Sequence, residues 1–73
     1  MKKCVIHCNI TNEHHIIQIG GYINTSSCPP IVEFIEDATV FPSISEANLF
    51  ISLHCHDAVH KKYLTEVIVL DNL

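Results

Sequence analysis

The sequence predicts a small α+β fold, in which one helix packs on one face of a mostly antiparallel sheet of about four strands, in the order β-β-β-α-β. The chain has 73 residues, enough for a single domain over 1–73. Several short runs alternate between apolar and polar residues, as strands do. In segment 37–47, Pro42 ends an apolar run, and Ser43 and Glu46 then form an S-x-x-E capping box that starts a helix.

The first two strands are predicted from alternation. Cys4–Thr11 is the first, and its core face is formed by Cys4, Ile6, Cys8 and Ile10. The second covers 14–24, and its core face is formed by His15, Ile17 and Ile19. Gly20 and Gly21 interrupt it, either as a two-residue hairpin turn or as a bulge within one long strand, and the bulge is favoured because Tyr22-Ile23 is short for a strand of its own.

The remaining elements follow a loop over 25–30. A third strand is predicted over 31–35, and 38–41 extends or accompanies it. The helix is predicted over 44–57, with a core face formed by Ile44, Ala47, Phe50, Ile51 and the His54-Cys55 region. The last strand is predicted over 64–70, where the nearly continuous apolar run 67–70 is typical of a strand covered on both faces or lying at an interface.

One helix covers only one face of such a sheet. Val5, Ile16, Tyr22 and part of the last strand are therefore expected to face water or a partner. The composition agrees, because 48% of the residues are apolar and only 16% are charged, and a chain this short cannot bury all of that apolar surface. We expect a homodimer or a protein partner.

Charge and length exclude several classes of function. The net charge is −4, with histidines counted as neutral, which argues against direct nucleic-acid binding. No segment has the length and apolar character of a membrane span, and no signal peptide is recognisable. We therefore expect a cytoplasmic location, with the four cysteines reduced.

The sequence contains only weak candidates for a catalytic residue or a cofactor site. Cys55 has histidine neighbours, but adjacent residues on a helix point in different directions, and a chain this small rarely forms a deep pocket. The sequence therefore predicts no enzyme and no cofactor. The alternative is a zinc-binding module that uses His54, His56 and His60, since His56 and His60 would share one face of a helix.

Two groups of residues are candidates for an interaction surface. Helix capping does not explain Glu33, Glu36 and Asp37 around the third strand, which are either an acidic rim that meets a partner or an ordinary solvated edge that discourages strand addition, and the solvated edge is favoured. Ile16 and Tyr22 are the apolar candidates on the uncovered side of the sheet.

The pattern Asp37-Ala38-Thr39-x-Phe41-x-Ser43-x-x-Glu46-Ala47, followed by one helix and a closing strand, resembles small proteins of phages and mobile elements, including some anti-CRISPR proteins. The resemblance implies a compact, acidic, non-enzymatic protein that blocks a surface of a host defence complex in the host cytoplasm. An accessory subunit without activity of its own is a further alternative.

Overall fold

The computed structural model describes residues 2–27 and 30–70. They form β1 (Cys4–Thr11), β2 (Ile17–Ile23), β3 (Ile31–Val32), a 3-10 helix (Ile35–Asp37), α1 (Ile44–His54) and β4 (Lys62–Val69). The described strands make one sheet of order β3-β2-β1-β4, and each neighbouring pair is antiparallel. The predicted α+β fold and order of elements are confirmed.

The core lies between α1 and the face of the sheet predicted from β1. Cys4, Ile6 and Cys8 are completely buried, and Ile10 packs against them. Ala47 of α1 meets this face and is also completely buried. The alternation in β1 therefore predicted both the strand and its buried side.

The second strand begins later than predicted because the chain turns over 12–16. The side chain of Asn12 accepts hydrogen bonds from the N–H groups of His14 and Ile16, at 2.9 and 3.0 Å. His15 has a φ of 63°, a left-handed conformation that few non-glycine residues adopt. His15 therefore belongs to the turn, and its predicted place on a core face is wrong.

Ile17 also lies on the other face from the one predicted. The pairing of β1 with β2 shifts between Ile10 and Thr11, so that Ile10 pairs with Ile19 and Thr11 pairs with Ile17. One residue is thus inserted on β2, which reverses the side of every residue before it. Ile19 keeps its predicted face, whereas Ile17 faces away from α1 and is 57% exposed.

Gly20 and Gly21 lie within one continuous strand, so the hairpin interpretation is wrong, and the bulge falls at Gln18 rather than at the glycines. Gly21 allows β3 to approach closely. A Cβ at Gly21 would lie 2.9 Å from Cγ2 of Ile31 and would collide with the backbone of Val32.

After β3 the chain returns to the centre of the sheet. β3 is shorter than predicted, because the 3-10 helix replaces the end of segment 31–35. Phe41 and Cys4 then exchange backbone hydrogen bonds of 3.0 and 2.7 Å. Segment 38–41 therefore does not prolong β3 but bridges to β1 at Phe41, whose ring lies in the core.

The helix starts where predicted and ends three residues early. Ser43 caps it, since its Oγ accepts a hydrogen bond of 3.2 Å from the N–H of Glu46. At Cys55, φ −112° and ψ 68° leave the helical region. Phe50 and Ile51 are half-buried, as the predicted face requires, but Ile44 is 42% exposed.

Candidate functional site

The face of the sheet opposite α1 has the features expected of a binding surface, and we call it the open face. From β1 it carries Val5, His7, Asn9 and Thr11, which alternate with the buried residues. Their partners in the neighbouring strands share the face and include Tyr22, Ile17, Leu64, Glu66 and Ile68. Apolar side chains from three strands thus lie on one surface with a carboxylate among them.

The middle of the open face is aromatic. The rings of His7 and Tyr22 meet edge to face, with centroids 5.1 Å apart and planes inclined at 76°, the geometry that aromatic pairs prefer. On its other side, His7 is paired in the ladder with Glu66. An imidazole between a phenol and a carboxylate provides donors and acceptors in the middle of an apolar surface.

The end of the open face near the β1–β2 turn is more apolar and more exposed. Ile17 and Leu64 are 57% and 55% exposed. Asn9 lies between them in the sheet, and its carboxamide extends over Gly20, where a Cβ would collide with it. Glycine at this position therefore leaves room for the Asn9 carboxamide.

Two residues of the open face are buried by their neighbours. Val5 is only 1% exposed, which corrects the expectation that it would face water or a partner. It belongs to β1, one of the two inner strands of the sheet, where Ile68 of β4 lies beside it in the ladder. Thr11 is also 1% exposed, and its Oγ1 has no hydrogen-bond partner among the described residues. A buried hydroxyl without a partner costs stability.

The predicted interaction residues do not form one patch. Tyr22 lies on the open face, beside Val32 of β3. Ile16 is 59% exposed but lies at the turn before β2, roughly 20 Å along the strand from Tyr22 at about 3.3 Å per residue. The acidic residues Glu33, Glu36 and Asp37 are exposed and follow β3, at the edge of the sheet.

The three histidines of the zinc alternative point to three different partners. The His54 ring packs on Phe50, with centroids 4.6 Å apart. Nε2 of His56 lies 3.1 Å from the carbonyl oxygen of Leu53. Nδ1 of His60 lies 3.1 Å from Oε2 of Glu13. In the described part of the chain, no three His, Cys, Asp or Glu side chains are grouped so that they could hold a metal ion.

A cavity of about 190 Å³ opens on the other face, between the end of α1 and the sheet. Its walls are mostly apolar and include Ile10, Ile31, Phe50 and Tyr63. Ligand sites usually enclose roughly 300–1,000 Å³, so this cavity is small for a substrate.

The thiols near this cavity are poor nucleophiles. Burial raises the pKa of the Cys55 thiol, which lines the cavity wall. Burial, and secondarily the Cys55 thiol, raises the pKa of Cys8 to about 11. Both thiols are therefore protonated at neutral pH, and the thiolate is the reactive form.

The sequence predicted that part of the last strand lies on this surface, but it did not single out Leu64, Glu66 or His7 as members of the candidate site. The signal was present, because Lys62, Leu64, Glu66 and Ile68 alternate with Tyr63, Thr65 and Val67. The alternation is hard to recognise because the last residues, 67–70, are all apolar. The inserted residue in β2, which places Ile17 on the same surface, has no signature in the sequence.

Comparison with known proteins gives no relative from which to transfer a function: no protein-family model, no curated protein and no solved structure matches the chain. Within residues 2–27 and 30–70, no helix has the length and apolar character needed to cross a membrane.

Proposed function

We propose that this chain is a non-enzymatic interaction protein that binds another protein with the open face of its sheet. The observation that carries the proposal is the position of α1, which packs on one face and leaves Ile17, Tyr22 and Leu64 on the other. Exposed apolar side chains grouped around a few polar ones are typical of protein-binding surfaces. The small cavity and the protonated thiols also favour binding over catalysis.

The partner we propose is a host protein or protein complex, and the resemblance to phage and anti-CRISPR proteins makes a defence complex the narrower proposal. The acidic balance of the chain supports it, since a net charge of −4 attracts a basic surface of the kind that holds nucleic acid. Glu33, Glu36 and Asp37 are exposed beside β3 and would enlarge the contact with such a surface.

Affinity capture with two matched variants tests this proposal. The open-face variant carries Ile17→Ser, Tyr22→Ser and Leu64→Ser. The control carries Leu49→Ser and Leu53→Ser, which replace side chains of α1 that are 52% and 58% exposed. A partner retained by the parent and the control but lost by the open-face variant supports the proposal. A partner lost only by the control would move the binding site to α1.

The activity of the purified partner, measured with and without this chain, then distinguishes an inhibitor from an accessory subunit. An inhibitor lowers the partner's activity when the parent chain is added, and the open-face variant does not. An unchanged or increased activity on binding would favour the accessory subunit, which uses the same surface. Circular dichroism of each variant checks that the fold is intact.

A further inference from the structure

β4 is an edge strand, and of its four outward-facing residues only Tyr63 has a partner for its outward backbone groups among the described residues. Backbone groups along a strand point alternately to either side. The N–H of Leu70 donates to the carbonyl of Lys3 at 2.8 Å, so the even-numbered residues of β4 bond to β1. The N–H of Tyr63 accordingly points outward, to Oδ1 of Asp57 at 2.9 Å. The other outward groups of β4 belong to Thr65, Val67 and Val69.

The beginning of this edge is closed by the segment that follows α1. Asp57 occupies the outward N–H of Tyr63, and Ala58 exchanges hydrogen bonds of 2.7 and 3.3 Å with Lys61. Beyond Tyr63 nothing in residues 2–27 or 30–70 takes the outward N–H and C=O groups of Thr65, Val67 and Val69. The open edge therefore has a defined start and a defined set of donors and acceptors.

The opposite edge of the sheet differs. β3 has only two residues, which pair with Tyr22 and Ile23, and Pro30, which has no N–H, comes directly before it; the rest of that edge is the start of β2, which the inserted residue Gln18 interrupts. Short edge strands and prolines are how natural sheets prevent pairing with another chain. The end of β4 has neither feature and is instead rich in β-branched residues, which favour strand pairing.

We propose that two copies of this chain pair antiparallel along β4, around a twofold axis at Val67. Val67 then lies opposite the partner's Val67, and Thr65 lies opposite the partner's Val69. Every outward N–H and C=O of these three residues gains a partner, because these are the hydrogen-bonded positions of the ladder. The same edge serves both copies, as twofold symmetry requires.

Neighbouring registers fit less well. An axis at Glu66 would place the two Glu66 carboxylates directly opposite each other, where like charges destabilise pairing. An axis at Thr65 would place Tyr63 opposite the partner's Val67, although the Tyr63 N–H is already bonded to Asp57. With the axis at Val67, Glu66 lies opposite the partner's Ile68 and the Tyr63 bond is kept.

Pairing in this register joins two four-stranded sheets into one of eight strands. The two open faces then form one surface, since Leu64, Glu66 and Ile68 of both copies lie on the same side. The proposed dimer does not depend on the protein partner proposed above. Tests with the purified chain alone therefore decide the dimer and have no bearing on the proposed protein partner.

Sedimentation of the purified chain across micromolar concentrations is the first test. The parent is expected to approach twice the 8.2 kDa of one chain. Thr65→Pro removes one outward N–H without breaking a bond to β1 and is expected to give a monomer. Ile17→Ser and Leu53→Ser, on the open face and on α1, are expected to leave the dimer intact. A parent that stays monomeric, or a dimer lost with either control and kept with Thr65→Pro, overturns the proposal.

Cysteine cross-linking tests the register without a proline. Residues facing each other in a hydrogen-bonded pair have Cα atoms about 5.5 Å apart, within the range of a disulfide. Val67→Cys is therefore expected to give covalent dimers on mild oxidation, in excess of the parent run alongside. In this register the two residues at position 65 lie about 13 Å apart, so Thr65→Cys is expected to give no covalent dimer. Cross-linking by Thr65→Cys instead of Val67→Cys overturns the register.

Discussion

The carboxylate of Asp57 accepts a hydrogen bond of 2.9 Å from the backbone N–H of Tyr63, and so ties the chain after α1 to the outer edge of β4. Asp57 lies three residues beyond the end of α1, and Tyr63 is the second residue of β4. The contact holds the connection against the sheet and marks where the open part of the edge begins.

Replacing Asp57 tests this contact. Asp57→Ala is expected to lower the free energy of unfolding by about 1 kcal/mol, because an N–H loses its acceptor, and to lengthen the open edge by one position. Asp57→Asn, which keeps an acceptor oxygen, is the control and is expected to retain most of the stability. Urea unfolding of the three proteins gives the result, and an unchanged midpoint for Asp57→Ala would show that the bond contributes nothing.

Thr11→Val is expected to stabilise the protein. The hydroxyl of Thr11 is buried without a partner among the described residues, and replacing it with a methyl group of similar shape removes a desolvation cost of about 1 kcal/mol. Thr65→Val, at a half-buried position in β4, controls for the general effect of valine in a strand. A lower thermal midpoint for Thr11→Val than for the parent would mean that the hydroxyl is satisfied.

Phe41, which is bridged to β1, and Phe50 of α1 are expected to differ in their effect on stability. Phe41 is 8% exposed and packs on the half-buried Phe50, with ring centroids 5.5 Å apart. Phe41→Ala is expected to cost about 3–5 kcal/mol, close to the whole stability of a small domain. Phe50→Ala is expected to cost less, because part of its ring stays in water. The reverse order in thermal unfolding would contradict the described core.

The buried thiol of Cys8 predicts a loss of stability at high pH. Burial raises the pKa of Cys8 from 9.0 to about 11, so the folded state holds the proton more tightly than the unfolded state. The stabilisation is complete below about pH 9 and is lost as the pH rises towards 11. Cys8→Ala removes this titration and is expected to show a smaller decline over that interval. Equal declines for both proteins, measured by urea unfolding at each pH, would contradict the prediction.

The fold could be predicted where local signals were strong. The alternation over Cys4–Thr11 and the cap at Ser43 depend only on neighbours in the sequence, and both are confirmed. The face of Ile17 could not be predicted, because one inserted residue at Gln18 reverses it and the register is set by pairing with β1. The end of α1 at His54 also has no strong stop signal in the sequence.

The candidate surface was predicted in outline only. A single helix implied an uncovered face, and Tyr22 was placed on it. The burial of Val5 and the separation of Ile16 from Tyr22 depend on where the strands lie in the sheet, which alternation does not reveal. The occupied N–H of Tyr63 depends on a contact across a connection and could be found only in three dimensions.

We infer that the uncovered face and the open edge of the sheet are the surfaces through which this protein binds its partners, and amide hydrogen exchange along β4 tests the edge residue by residue. The N–H groups of Leu64, Glu66 and Ile68 donate to β1 and are expected to be protected at every concentration. Those of Thr65, Val67 and Val69 are expected to exchange quickly in dilute protein and slowly in concentrated protein. Fast exchange of these three amides at every concentration would contradict the account.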